Sequence, residues 1–155
     1  QSYMLISKVL VQAIRSLGID ATLSRGSAAE LSRSHNPCFS FPTPHEIEVA
    51  GRKIVGSAQK RDKQALLQHG SIPLAMDYSL YAGGANFPAA ALQQSMTTWG
   101  DISGREPQEL QEALVSSFRD FSGGDLAPME FSAEDERRLF ELREKYASDA
   151  WNLSL

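Results

Sequence analysis

The stretch EIEVAGRKIVGSAQKR, Glu46 to Arg61, constrains the fold of this chain more than any other. Ile47 and Val49 alternate with Glu46 and Glu48, Gly51 and Arg52 turn the chain, and Ile54 and Val55 resume the apolar pattern. A period of two on both sides of a glycine turn predicts a β-hairpin. QALLQHGSIPLAM, starting at Gln64, predicts a further strand, with Asp62 and Lys63 at the turn before it. IDATLS, Ile19 to Ser24, predicts a short strand upstream.

Helices frame these strands. Leu5, Ile6, Val9, Leu10, Ala13, Ile14 and Leu17 recur at helical spacing over Ser2 to Leu17, and Gly18 stands where a C-terminal cap is expected. Pro107 opens a second helix with Leu110, Leu114, Phe118 and Phe121 on one face and Gly123 beyond its end. Ser132 is the expected cap of a third, whose first turn holds Glu134, Asp135 and Glu136. Leu139, Phe140, Leu142 and Tyr146 are its expected buried side. Between Asp77 and Gly104, small and turn residues predict short helical turns. The fold class is therefore α+β, a mainly antiparallel or mixed sheet with packed helices. A length of 155 residues suits one domain, 1–155, able to bury roughly 70% of its unfolded surface.

Composition narrows the function classes. Apolar residues are 42% and charged residues 22% of the chain, an ordinary globular balance. A net charge of −4 without a basic face argues against nucleic acid or an anionic membrane as the main partner. No apolar run approaches the ~18 residues of a membrane span. One cysteine cannot form an internal disulfide, so the reading is a cytoplasmic protein. Three histidines and one cysteine spell no zinc site, and no metal is expected. Phosphate-loop, GxGxxG and GxSxG motifs are absent.

Two residues stand out chemically. Cys38 lies in a loop of about 20 residues, Arg25 to Pro44, rich in Ser, Gly, Ala, Asn and Pro, and loops of that length in compact domains are usually functional or mobile. It reads either as a small buried apolar residue or as a loop thiol whose thiolate is a nucleophile. His35 and His45 flank it. Lys53 reads either as a solvated lysine beside a turn or as a fixed cation for an acyl carbonyl or a phosphate. Gly56, Ser57 and Ala58, just beyond it, leave room either for a ligand against the backbone or for close strand-to-helix packing. His69, beside Gly70, is a structural histidine or an acid–base group.

PCFSFPTPHEIEVAGRKIVGSAQKR, followed by LQHGSIPL, resembles the central motif of the biotin/lipoate protein ligase superfamily, which includes lipoate–protein ligases and cysteine-dependent octanoyltransferases. KYASDAWN, Lys145 to Asn152, resembles its C-terminal signature, and the first helix with LGIDATLSR matches in kind and position. The resemblance implies a class II ligase-like fold. It implies Cys38 as an acyl-thioester nucleophile, Lys53 as the cation that positions the acyl carbonyl, and Gly56, Ser57, Ala58, Gln59, His69 and Gly70 as substrate-binding residues. The implied activity moves an octanoyl or lipoyl group through a cysteine thioester to a lysine of a lipoyl domain. Implied partners are acyl carrier protein and lipoyl-domain proteins such as the glycine cleavage H protein. No cofactor is implied on this branch. ATP and Mg belong to the alternative branch of ATP-dependent lipoate–protein ligases, and a non-catalytic lipoyl-domain or acyl-binding remnant is a third reading. The family's arginine- and glycine-rich segment has no counterpart here, so the chain is expected to be the C-terminal portion of such a catalytic domain.

Overall fold

A computed structural model describes residues 2–26, 39 and 44–153. Cys38 and His35 lie outside the described residues. The chain forms two compact units, Gln1–Gly124 and Asp125–Leu155.

The first unit opens with helix α1, Ser2–Ser16, and Gly18, at φ 82°, takes the left-handed conformation that ends it. Strands β1 (Ala21–Leu23), β2 (Ile47–Val49), β3 (Arg52–Arg61) and β4 (Leu66–Ser71) follow. They form one sheet in the order β1-β2-β3-β4, with every neighbouring pair antiparallel. The β2–β3 turn uses Ala50 and Gly51, both at positive φ (50° and 74°), as a two-residue hairpin turn requires. Three short helices come next, α2 (Tyr78–Gly84), α3 (Ala89–Ser95) and α4 (Trp99–Ile102), then the long α5 (Pro107–Ser122). The α+β class, the hairpin, the flanking strands and the helices expected from the sequence are present.

Two apolar clusters organise this unit. Val11 and Ile14 of α1, Ala21, Ile47, Val49, Ile54 and Val55 of the sheet, Trp99 of α4 and Leu110 of α5 pack into one core. Phe39, Ala82, Leu92 and Met96 form a second, with α2 and α3 supplying most of it. The two clusters divide β3 in an unexpected way. Its neighbours Ile54 and Val55 both join the first cluster, because the β2–β3 register runs Ile47↔Val55 and then Glu48↔Lys53. One residue is thus extra on β3, a β-bulge.

Beyond Arg61 the sheet thins. Leu66 and Leu67 are 42% and 63% exposed, on a strand at one edge of the sheet.

The second unit holds α6 (Ala133–Ala147) and α7 (Asp149–Asn152). Ser132 caps α6 as expected: its Oγ accepts the Asp135 N–H, and Asp135 accepts the Ser132 N–H. The Ser132 hydroxyl, which donates to Asp135 Oδ2 at 2.6 Å, and then the Ser132 N–H hold the Asp135 carboxyl below the usual range. The expected buried side of α6 is not buried: Leu139, Phe140 and Tyr146 are 42%, 65% and 49% exposed. Two short helices contain no second layer to cover them. The KYASDAWN segment forms a small aromatic box. Tyr146 and Trp151 meet edge to face at 4.9 Å, and the Lys145 ammonium lies 4.5 Å from the Trp151 ring centre.

Candidate functional site

Lys53 is buried, 2% exposed, against the usual habit of lysine. The bulge explains how it gets there. In a regular strand, residues three apart face opposite sides. Here Lys53 and Gly56 share a neighbour, the Phe39 ring. The Lys53 Nζ stands 5.2 Å from the ring centre, and a Cβ built on Gly56 would lie 2.8 Å from the ring's Cζ. Only glycine leaves that ring its place.

The charge of Lys53 is matched by Glu46, whose Oε1 lies 2.7 Å from Nζ; the two side chains are 3% and 6% exposed. Glu46 precedes β2 and is fixed from its backbone, its carbonyl accepting the Ser24 N–H at 2.8 Å. On the other side of Lys53, its carbonyl accepts the Thr97 N–H at 2.9 Å, and Met96 pairs with it in a parallel bridge. A lysine, a carboxylate and an aromatic face are thus assembled from three places in the chain, with the Met96–Thr97 segment bracing the lysine's backbone.

The small-residue run splits between the two faces of β3. Ser57 donates to the Tyr3 hydroxyl of α1 at 2.9 Å. Gln59 accepts from Ser2 at 3.2 Å and donates to Gln68 at 2.7 Å. These two therefore tie α1 to the sheet, while Gly56 and, by alternation, Ala58 face the Lys53 side. Ala58 pairs in register with His69, and both are exposed. Gly70 pairs with Ser57, where a Cβ would meet the Gly56 carbonyl and the Ser57 Cβ, each at 2.9 Å. Its lack of a side chain is a packing requirement between β3 and β4. Lys53, Gly56 and Ala58 share one face of β3, Ser57 and Gln59 the other, and Ser57, His69 and Gly70 line the apolar cavity on that second face.

That other face borders an apolar cavity of about 500 Å3, lined by Ile6, Leu10, Val55, Ile72, Leu110 and Leu114 among others. A second polar cluster adjoins the Phe39 side. Tyr78 donates to Asp101 Oδ2 at 2.8 Å. Burial, with this hydrogen bond, pushes the Tyr78 hydroxyl up to about 12, and the same bond is the main cause that holds Asp101 below the usual carboxylate range.

Sequence reasoning missed Glu46 and Phe39. Glu46 read as the polar half of an alternating strand, and Phe39 as a mere neighbour of Cys38. Nothing in the sequence singled out Glu46, since the carboxylate in register with Lys53 across the hairpin is Glu48. Among the described residues no group of carboxylates, histidines or cysteines can hold a metal, and no helix is long and apolar enough to cross a membrane.

Residues 1–134 match the lipoyl protein ligase A/B catalytic domain family. Curated relatives include the octanoyltransferases LipM of Kyrpidia tusciae, 33% identical over 98% of this chain and 61% of that protein, and of Brevibacillus brevis, 35% identical over 99% and 61%. The chain spans about three fifths of the length of these relatives. The fold resembles that of lipoate-protein ligase A bound with ATP, with a TM-score of 0.78 at 22% identity, covering 97% of this chain and 57% of that one. It also resembles a bi-partite lipoate protein ligase of Thermoplasma acidophilum described with its lipoyl domain, with a TM-score of 0.74 at 18% identity, covering 97% and 56%. A match over residues 1–134, joined to a shared fold, places the chain in the lipoyl protein ligase A/B catalytic domain family.

Proposed function

We propose that this chain is the C-terminal portion of the catalytic domain of an octanoyltransferase of protein lipoylation. The observation that carries the reading is the buried Lys53 cation, held by Glu46 against Phe39, the residue that follows Cys38 in the chain. The octanoyltransferase names of the curated relatives support it.

In this reading the Cys38 thiolate attacks the carbonyl carbon of an octanoyl thioester. The carbonyl π electrons move onto oxygen, and the Lys53 ammonium stabilises that oxyanion. The intermediate collapses, the carrier's thiolate leaves and takes up a proton, and an octanoyl-Cys38 thioester remains. A lysine amine of a lipoyl domain then attacks the same carbonyl. An amide forms, the C–S bond breaks, and the Cys38 thiol is restored. No net oxidation occurs and no cofactor is needed.

Ala58 flanks the acyl group on the Lys53 face, Phe39 fills the space beside Gly56, and His69 lines the apolar cavity on the other face. Exposed Lys60, Arg61 and Lys63 at the β3–β4 turn give an acidic acyl carrier protein a place to approach. The ligase neighbour bound with ATP favours a second reading, ATP-dependent lipoate ligation, in which Cys38 is a bystander.

Intact mass after incubation with octanoyl-acyl carrier protein, without ATP, separates the two. The expected result is a hydroxylamine-labile octanoyl adduct on the wild type that Cys38→Ala abolishes. Modification of a lipoyl domain that requires ATP and lipoate, and survives Cys38→Ala, establishes the ligase instead.

A further inference from the structure

Glu46 has no part in the acyl transfer as written above, yet three separate structural devices converge on its contact with Lys53. The first is burial. Both side chains are almost wholly removed from water, and their charged atoms meet at 2.7 Å. A buried ion pair is a poor source of stability, because desolvation offsets most of the attraction and apolar residues of similar volume hold a fold as well or better. The second is backbone conformation. His45, directly before Glu46, sits at φ 71°, a region that non-glycine residues rarely adopt. It is held there because its N–H donates to the Ser24 carbonyl at 3.0 Å, while Ser24 donates back to the Glu46 carbonyl at 2.8 Å. Strain of this kind persists only where surrounding bonds impose it, and it clusters at functional sites. The third is the bulge, which brings Lys53 to the Phe39 side while Ile54 and Val55 stay in the core.

From these observations, and resting on the octanoyl-transfer reading, we propose that Glu46 is a positioning residue that fixes the Lys53 ammonium at the point where the acyl oxygen gains charge. A free lysine side chain samples many rotamers. One whose Nζ is anchored by a carboxylate on a clamped backbone and walled by an aromatic ring is set before substrate arrives, so no reorganisation is needed as the oxyanion forms. Glu46 touches no reacting atom. Its effect passes through Lys53, so its loss lowers kcat and leaves the KM for the octanoyl donor nearly unchanged.

The test compares Glu46→Gln and Glu46→Asp with wild type in steady-state transfer from octanoyl-acyl carrier protein to a lipoyl domain, alongside NMR of the lysine ammonium groups. Glu46→Gln is expected to lower kcat about 10²-fold, the scale of a 1 Å misplacement, with KM changed less than about threefold. In the same variant the slowly exchanging Lys53 ammonium signal of the wild type is expected to vanish. Glu46→Asp keeps the charge but shortens the reach, so it guards against a Gln variant that fails to fold; it is expected to fold and to lose about tenfold in kcat. Wild-type kcat in either folded variant overturns the proposal, as does a loss that falls wholly on KM. A wild-type protein that shows the Lys53 signal but transfers no octanoyl group overturns the octanoyl-transfer reading instead.

Discussion

Strand β3 presents unlike neighbourhoods on its two faces. Toward α1 and α5 lie Ile54 and Val55 among apolar partners, with Ser57 and Gln59 hydrogen-bonded to Tyr3 and Ser2 of the helix. Toward Phe39 lie Lys53, balanced by Glu46, and Gly56, whose missing side chain the aromatic ring fills. The first face uses many interchangeable contacts, each small. The second uses a few contacts that each depend on one residue type. Apolar packing and the buried ion pair are thereby carried by opposite sides of the same ten-residue strand.

That contrast can be broken most forcefully at Lys53. Lys53→Met leaves Glu46 buried without its cation and is expected to cost about 3–5 kcal/mol in denaturant unfolding. Adding Glu46→Leu should return most of that stability, because an apolar pair of similar volume serves the core, yet acyl transfer should stay abolished. A double variant that transfers octanoate would erase the distinction between the faces. Gly56→Ala comes next. Its Cβ drives the Phe39 ring aside, with an expected loss of about 1–3 kcal/mol by thermal unfolding and reduced transfer as the wall beside Lys53 moves. On the helix face, Tyr3→Phe removes the partner of Ser57. About 0.5–1.5 kcal/mol should disappear from the unfolding free energy while kcat stays at the wild-type value.

The smallest expected effect is a pH dependence. Tyr78 is raised to about 12 by burial and its bond to Asp101, so its contribution is complete below the unfolded value near 10 and is lost as pH rises from there toward 12. Asp101 is lowered, so its contribution is present above the unfolded value of about 3.9 and is lost as pH falls below it. Melting temperatures of Tyr78→Phe across pH should show a shallower decline at both ends. An unchanged profile would mean that this contact does not add to the Phe39 side.

Much of the fold was legible because its signals are local. Leucine and isoleucine spacing with Gly18 marked α1, Gly51 marked the hairpin, Pro107 marked α5 and Ser132 capped α6. Lys53 was legible as a residue in unusual company, although not as a buried one. What stayed hidden depends on register and on distant segments. Alternation assigned Glu46 to an outward face, since a period of two cannot say what covers that face. The bulge has no composition of its own, so Gly56, Ser57, Ala58 and Gln59 read as one wall when strand geometry divides them. The apolar side of α6 read as buried because spacing reports a stripe without reporting a partner.

The extra residue at Ile54 also changes how length maps onto function in this strand. Counting along β3 is ordinarily a matter of parity, even separations sharing a face and odd ones not. Between Lys53 and Gly56 that rule is inverted. Losing Ile54 altogether would therefore keep the two in phase and remove only core volume. Losing a residue beyond the bulge, such as Ala58, would leave the pairs nearest the turn intact but put them out of phase with the rest of β3, breaking the pairing of Gly56 with Ser71 and of Ser57 with Gly70. For this strand a deletion is mild or ruinous according to where it falls, independent of which side chain is lost.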